Sequence, residues 1–139
     1  MKILSIVLIV VFLLAFALFF MPPEWYFWND FSGPIPTVSR EDVLYMQAFD
    51  KNADHRDISD DDLDLIYAYV AKAKPSRVQS TSDAVYVTDY CGLRISSGKE
   101  NIRYYVYRER FLTYIEIPYV GVWEADDELY ELLSEYLND

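Results

Sequence analysis

The sequence predicts an α+β chain, with an N-terminal transmembrane helix followed by a β-α-β-β-β-α domain whose antiparallel sheet carries two helices on one face. Three observations predict it. Ile3 to Met21 is an unbroken apolar run with Lys2 ahead of it and no charge inside. Two later stretches, near 59–74 and 125–137, place apolar residues at three- and four-residue steps behind acidic starts. Between them, residues 84–117 are rich in Val, Ile, Thr and Tyr and are broken by turn residues, the pattern of an antiparallel meander.

As a helix the first run would reach roughly 28 Å, close to the hydrocarbon thickness of a bilayer. Lys2 and the α-amino group are its only nearby cations, since the next is Arg40. Cations near a span stay on the cytoplasmic side, so the expectation is a single-pass protein of the cell membrane, N-terminus inside, residues 24–139 extracytoplasmic, and lipid as a partner through residues 3–21. Pro22 and Pro23 stop the helix. Trp25, Tyr26 and Trp28 then suit the headgroup layer as membrane-interface residues. A cleaved secretory signal is the competing reading, because Ala15-Phe16-Ala17 has a small-x-small pattern. Cutting there would leave a poorly soluble LFFMPPEW end, which favours an uncleaved anchor over residues 1–23.

Residues 24–42 read as a juxtamembrane aromatic segment and linker, with Gly33, Pro34 and Pro36 interrupting any periodicity, and the domain proper as 43–139. Val43 to Phe49 fits a strand better than a short helix on its β-branched and aromatic content. Ser59 can cap the first helix with Asp62 three residues on, and Leu63, Ile66, Tyr67, Val70 and Ala73 form its buried stripe. Lys72 and Lys74 suit its last turn and Pro75 its end. Residues 84–96, then Ile102 to Tyr107 and Leu112 to Ile117 are the meander, with a turn at Ser96-Ser97-Gly98-Lys99 and another near Arg108-Glu109-Arg110. Ala125-Asp126-Asp127-Glu128 opens the last helix, with the stripe Leu129, Leu132, Leu133 and Tyr136.

Composition narrows function. The 139 residues carry 23 Asp and Glu against 12 Lys and Arg, a net charge of −11. Nucleic acid is excluded as a partner on that balance, because phosphate binding needs a basic face. Cys91 is the only cysteine and His55 the only histidine. No intrachain disulfide, zinc site or Cys-His pair is therefore expected, and no cofactor. Asp50, Asn52 and Asp54 match the first three ligand positions of a calcium loop, but His55 stands where the sharp turn needs Gly, so these are weak metal candidates at most.

Tyrosine is the better functional hint. Tyr86, Tyr90, Tyr105, Tyr107 and Tyr114 fall along the meander, where alternate residues face opposite sides. Tyrosine gives large contact area at low rotamer entropy, which suits a binding face, although cross-strand packing explains the same residues. Ile58-Ser59-Asp60 opening the first helix, with the segment from Tyr114 to Trp123 (YIEIPYVGVW), resembles an uncharacterised bacterial family of small lipoproteins and membrane-anchored proteins bearing one extracytoplasmic α+β domain. The likeness spans roughly residues 40–137, lacks the lipoprotein cysteine, and implies no catalytic residue. The expectation is a non-catalytic extracytoplasmic domain that binds a protein or envelope component. An acidic immunity or inhibitor protein that neutralises a basic toxin or enzyme is one alternative, and a weak calcium-binding module another.

Overall fold

The computed structural model describes residues 6–12, 33–76, 78, 80 and 85–138. Seven strands form one antiparallel sheet: β1 Tyr45–Phe49, β2 His55–Asp57, β3 Lys74–Pro75, β4 Cys91–Ser96, β5 Asn101–Glu109, β6 Leu112–Ile117 and β7 Gly121–Ala125. Their spatial order is β2-β1-β4-β5-β6-β7-β3. Beyond residue 33 the helical segments are a single 3-10 turn at Arg40–Asp42, α1 at Asp60–Ala71 and α2 at Asp127–Asn138.

This corrects the expected β-α-β-β-β-α order, which omits β2, β3 and β7. β2 is the wholly exposed tripeptide His55-Arg56-Asp57, extended because it pairs with β1 and without any apolar alternation of its own. β3 is Lys74-Pro75, expected at the end of α1 and found instead paired with Glu124 and Trp123 of β7. A proline is tolerated there because the strand lies at the sheet edge, where its missing N–H breaks no second ladder.

The helix layer is corrected too. Two helices side by side on one sheet face were expected. α2 does lie across β1, β4 and β5, but α1 meets α2 more than it meets any strand. The rest of the cover comes from the extended residues ahead of β1. Ile35 and Val38 are buried in the core, and three core aromatics hold their backbone: Trp123 Nε1 donates to Gly33 O at 2.8 Å, Tyr104 OH to Pro36 O at 2.8 Å and Tyr67 OH to Val38 O at 2.9 Å. Trp123 and Tyr104 are buried, so an unmet polar tip there would cost about 1–3 kcal/mol, while the Tyr67 ring is half-buried.

The transmembrane helix expected over residues 3–21 is not supported. Among the described residues no helix is long and apolar enough to cross a membrane. Residues 6–12 are helical. The remainder of that run lies outside the described residues, as do Trp25, Tyr26 and Trp28.

The core sits between the sheet and α2. Met46, Leu93, Ile95, Tyr104, Val106, Ile115 and Trp123 reach it from the strands, with Leu129 and Leu133 from α2 and Ile66 and Val70 from α1, all at or below 1 % exposure. Trp123 fills the centre because β7 points it inward opposite Ile115. The cap of α1 differs from the expected reciprocal box. Ser59 makes no side-chain bond to the helix amides. Its hydroxyl donates to Asp62 at 3.1 Å and its N–H to the Tyr136 hydroxyl at 3.1 Å, so a residue of α2 takes the amide that Asp62 would have taken.

Candidate functional site

Because strand side chains alternate, the face of the sheet away from α2 is fixed by register. Its first row across the strands is Asp57, Gln47, Arg94 and Arg103. The next is His55, Phe49, Gly92, Tyr105, Glu116 and Val122. A third runs Tyr107, Tyr114, Glu124 and Lys74. This is the face that carries Tyr105, Tyr107 and Tyr114; on its β2-β1-β4-β5 half Asp57, His55 and Arg103 are exposed, while Phe49 and Gly92 are buried.

Gly92 organises that half. A Cβ built on it would stand 2.2 Å from the Phe49 ring, so the ring lies over the bare backbone of β4. Phe49 meets Tyr105 edge-on at 5.7 Å and His55 at 5.9 Å. Tyr105 in turn meets Tyr90 edge-on at 5.2 Å. Edge-to-face contacts of this kind add about 0.5–1.5 kcal/mol each beyond area burial and hold the rings in place. Phe49, Tyr90, Tyr105, His55, Lys51 and Arg103 border a cleft of about 210 Å³.

Asp50 also borders this cleft, so its charged lining is Lys51 and Arg103 against one carboxylate, and Arg94 stands beside Arg103. Arg94 and Arg103 are direct cross-strand partners, and like charges so placed repel. Two other arginines are matched, Arg40 with Asp64 at 2.6 Å and Arg108 with Glu131 at 3.0 Å. Among the described residues neither Arg94 nor Arg103 has a carboxylate partner, and the buried Nε of Arg94 has no hydrogen-bond acceptor. The nearest acids are engaged. Asp57 accepts from Gln47 Nε2 at 2.7 Å. Asp50 accepts from the amides of Asn52 and Asp54 and from Asn52 Nδ2, all within 3.0 Å. Burial works against the Asp50 carboxylate, but those donated bonds prevail and hold its pKa below the ordinary value.

Part of the other half is covered, while Glu124 and Lys74 at its edge stay exposed. Ser80 donates to Glu116 at 2.7 Å, Tyr107 donates to the same carboxylate at 3.2 Å, and the Tyr119 amide donates to Ser80 at 3.1 Å. Glu116, Tyr107 and Val122 are buried as a result. Burial first, and the Glu116 carboxylate second, push the Tyr107 hydroxyl pKa far up.

The tyrosines named from sequence therefore part company. Tyr105 and Tyr90 border the cleft, and Tyr107 is buried with Tyr114 against it at 5.8 Å. Tyr86 precedes β4 in a loop, 86 % exposed and off the sheet, because β4 starts at Cys91 and not near residue 84. Asp50, Asn52 and Asp54 sit in the β1–β2 turn. Among the described residues no three His, Cys, Asp or Glu side chains converge as metal ligands. Cys91 points to the helix side, 3.2 Å from Ser134 Oγ, while His55 lies on the opposite face, so the sheet itself separates them. Sequence reading missed Phe49, Gly92, Arg94 and Arg103. The signal was the alternation in Cys91-Gly-Leu-Arg-Ile-Ser96, which places Gly92 and Arg94 together off the core face.

The model of the DUF5301 family matches residues 34–124, and its description is "Domain of unknown function (DUF5300)". Among solved structures, an NMR structure of a protein from Ruminococcus gnavus is similar, with 22 % identity, a TM-score of 0.56, and coverage of 70 % of this chain and 99 % of that one. At that identity the likeness speaks to fold alone. Among curated proteins none matches.

Proposed function

This chain belongs to the DUF5301 family of domains of unknown function, and from the geometry of its sheet we propose that it is a non-catalytic interaction module that binds through the open half of its tyrosine face. The observation that carries this reading is the Phe49–Tyr105–Tyr90 row. Fixed aromatic rings beside unpaired guanidinium groups are the residue types that dominate recognition surfaces. Catalysis has less support, since the sole cysteine and sole histidine lie on opposite sides of the sheet and the buried Glu116 is fully engaged by Ser80 and Tyr107. A basic partner, expected from net charge, would have to approach the unpaired Arg94 and Arg103.

The test is photo-crosslinking in cells from position 105, with position 65 on the exposed side of α1 as control, followed by purification of the captured species. The expected result is a discrete adduct from position 105 alone, whose purified partner binds the native chain and binds the Tyr105→Ala variant more weakly. Identical adducts from both positions, or none from position 105, would refute the reading.

A further inference from the structure

We propose that the open face receives an extended acidic peptide, added as a strand beside the free part of β5, with an acidic side chain on Arg103. The inference rests on the interaction reading above and names the chemistry of the partner.

β5 runs from Asn101 to Glu109, but β6 pairs with it only over Tyr105–Glu109. β4 pairs with the other side over Asn101–Val106. Asn101 to Tyr104 therefore has a ladder neighbour on one side only, and β6 cannot extend to fill the other because Pro118 follows it in a turn. Such an overhang is a template for an added strand. Next to it is a hollow of about 460 Å³ bordered by Ile102, Arg103, Tyr105, Ile117, Pro118 and Val120. Arg103 and Tyr105 also border the aromatic cleft, so both hollows open onto the same two side chains.

Period-two geometry then specifies the peptide. A residue paired opposite Arg103 would project onto the open face, and residues opposite Ile102 and Tyr104 onto the helix side, beside Ile102, Ile117 and Pro36. An apolar-acidic-apolar pattern satisfies both. The acidic side chain gives Arg103 the carboxylate partner that it lacks, and guanidinium recognises carboxylate through paired donors. A polysaccharide carries carboxylates but not the alternating N–H and C=O groups that a strand edge pairs with, so the overhang favours peptide.

Fluorescence anisotropy on the full chain in non-ionic detergent tests this, using a labelled Val-Glu-Val-Glu-Val peptide, its Val-Lys counterpart, and polygalacturonate as competitor. The expected result is saturable binding of the Glu peptide alone, weakened about ten-fold by Arg103→Gln and more by Arg103→Glu, and weakened by salt. Thermal melts confirm that both variants fold, which the exposure of Arg103 leads one to expect. Equal binding of the two peptides, insensitivity to both substitutions, or binding of polygalacturonate in place of the peptide would each overturn the assignment. If position 105 captures a partner while the Glu peptide fails to bind, the acidic-strand assignment falls and the interaction reading stands.

Discussion

The Tyr136 hydroxyl donates to Asp62 Oδ2 at 2.5 Å, joining the last turns of α2 to the first turn of α1 across 74 residues of sequence. The same hydroxyl lies 2.8 Å from Ser59 Oγ and accepts the Ser59 N–H. One tyrosine tip thus replaces a local helix cap. Removing it with Tyr136→Phe leaves the ring packed and the three partners without their bonds. The group is partly solvated, so the expected loss is about 1–2 kcal/mol. Urea unfolding measures it, and a midpoint unchanged from the native chain would show that water serves as well.

The hairpin between β5 and β6 turns through Arg110 and Phe111, with φ of 52° and 76°. Left-handed geometry at two consecutive residues suits Asn-Gly and strains a bulky side chain. The Phe111 side chain is fully exposed, so packing does not compensate for the strain. The double substitution Arg110→Asn, Phe111→Gly is expected to stabilise by about 1–2 kcal/mol. A fall in the urea midpoint would mean that Phe111 makes a contribution to folding that its exposure hides.

Gly92→Ala tests the seat of the aromatic row. The new methyl would collide with the Phe49 ring and must push it off β4. Overpacking of this kind costs about 1–3 kcal/mol. The more specific readout is NMR, in which the ring resonances of Tyr105 and Tyr90 should move because both depend on where Phe49 sits. Unmoved Tyr105 resonances in a folded variant would show that the ring does not rest there.

Burial raises the Tyr104 hydroxyl pKa to about 12 and pushes that of Tyr107 higher still. In the unfolded chain both would ionise near the ordinary tyrosine value of 10.0. A raised folded pKa means stability that is whole below the unfolded value and is lost as pH climbs toward the folded one. Stability should therefore be flat in this respect below pH 10 and decline between about 10 and 12. Following tyrosinate absorbance alongside circular dichroism checks this. The Tyr104 and Tyr107 ionisations should coincide with unfolding, and their appearance in the native baseline would contradict it.

Local pattern made much of the domain legible. The apolar steps of α1 and α2 predict both helices, and Leu112 to Ile117 is a strand in the chain as in the reading, because its burial alternation is written in its own residues. β2 and β3 were not legible. His55-Arg56-Asp57 and Lys74-Pro75 bury no side chains and owe their extension to hydrogen bonds offered by β1 and β7. Edge strands of this kind are specified by their neighbours and not by their composition.

Tyr104 and Tyr105 make the division plain. By itself the sequence determined that a tyrosine-rich antiparallel ribbon would exist and that neighbouring rings would point to opposite faces, because the period of a strand is two. Only the tertiary structure decided which ring went where. Tyr104 is fully buried and bonded to Pro36, while Tyr105 stands on the open face between Phe49 and Tyr90. The same decision paired Arg94 with Arg103, since strand register is set by contacts between segments that no single segment encodes.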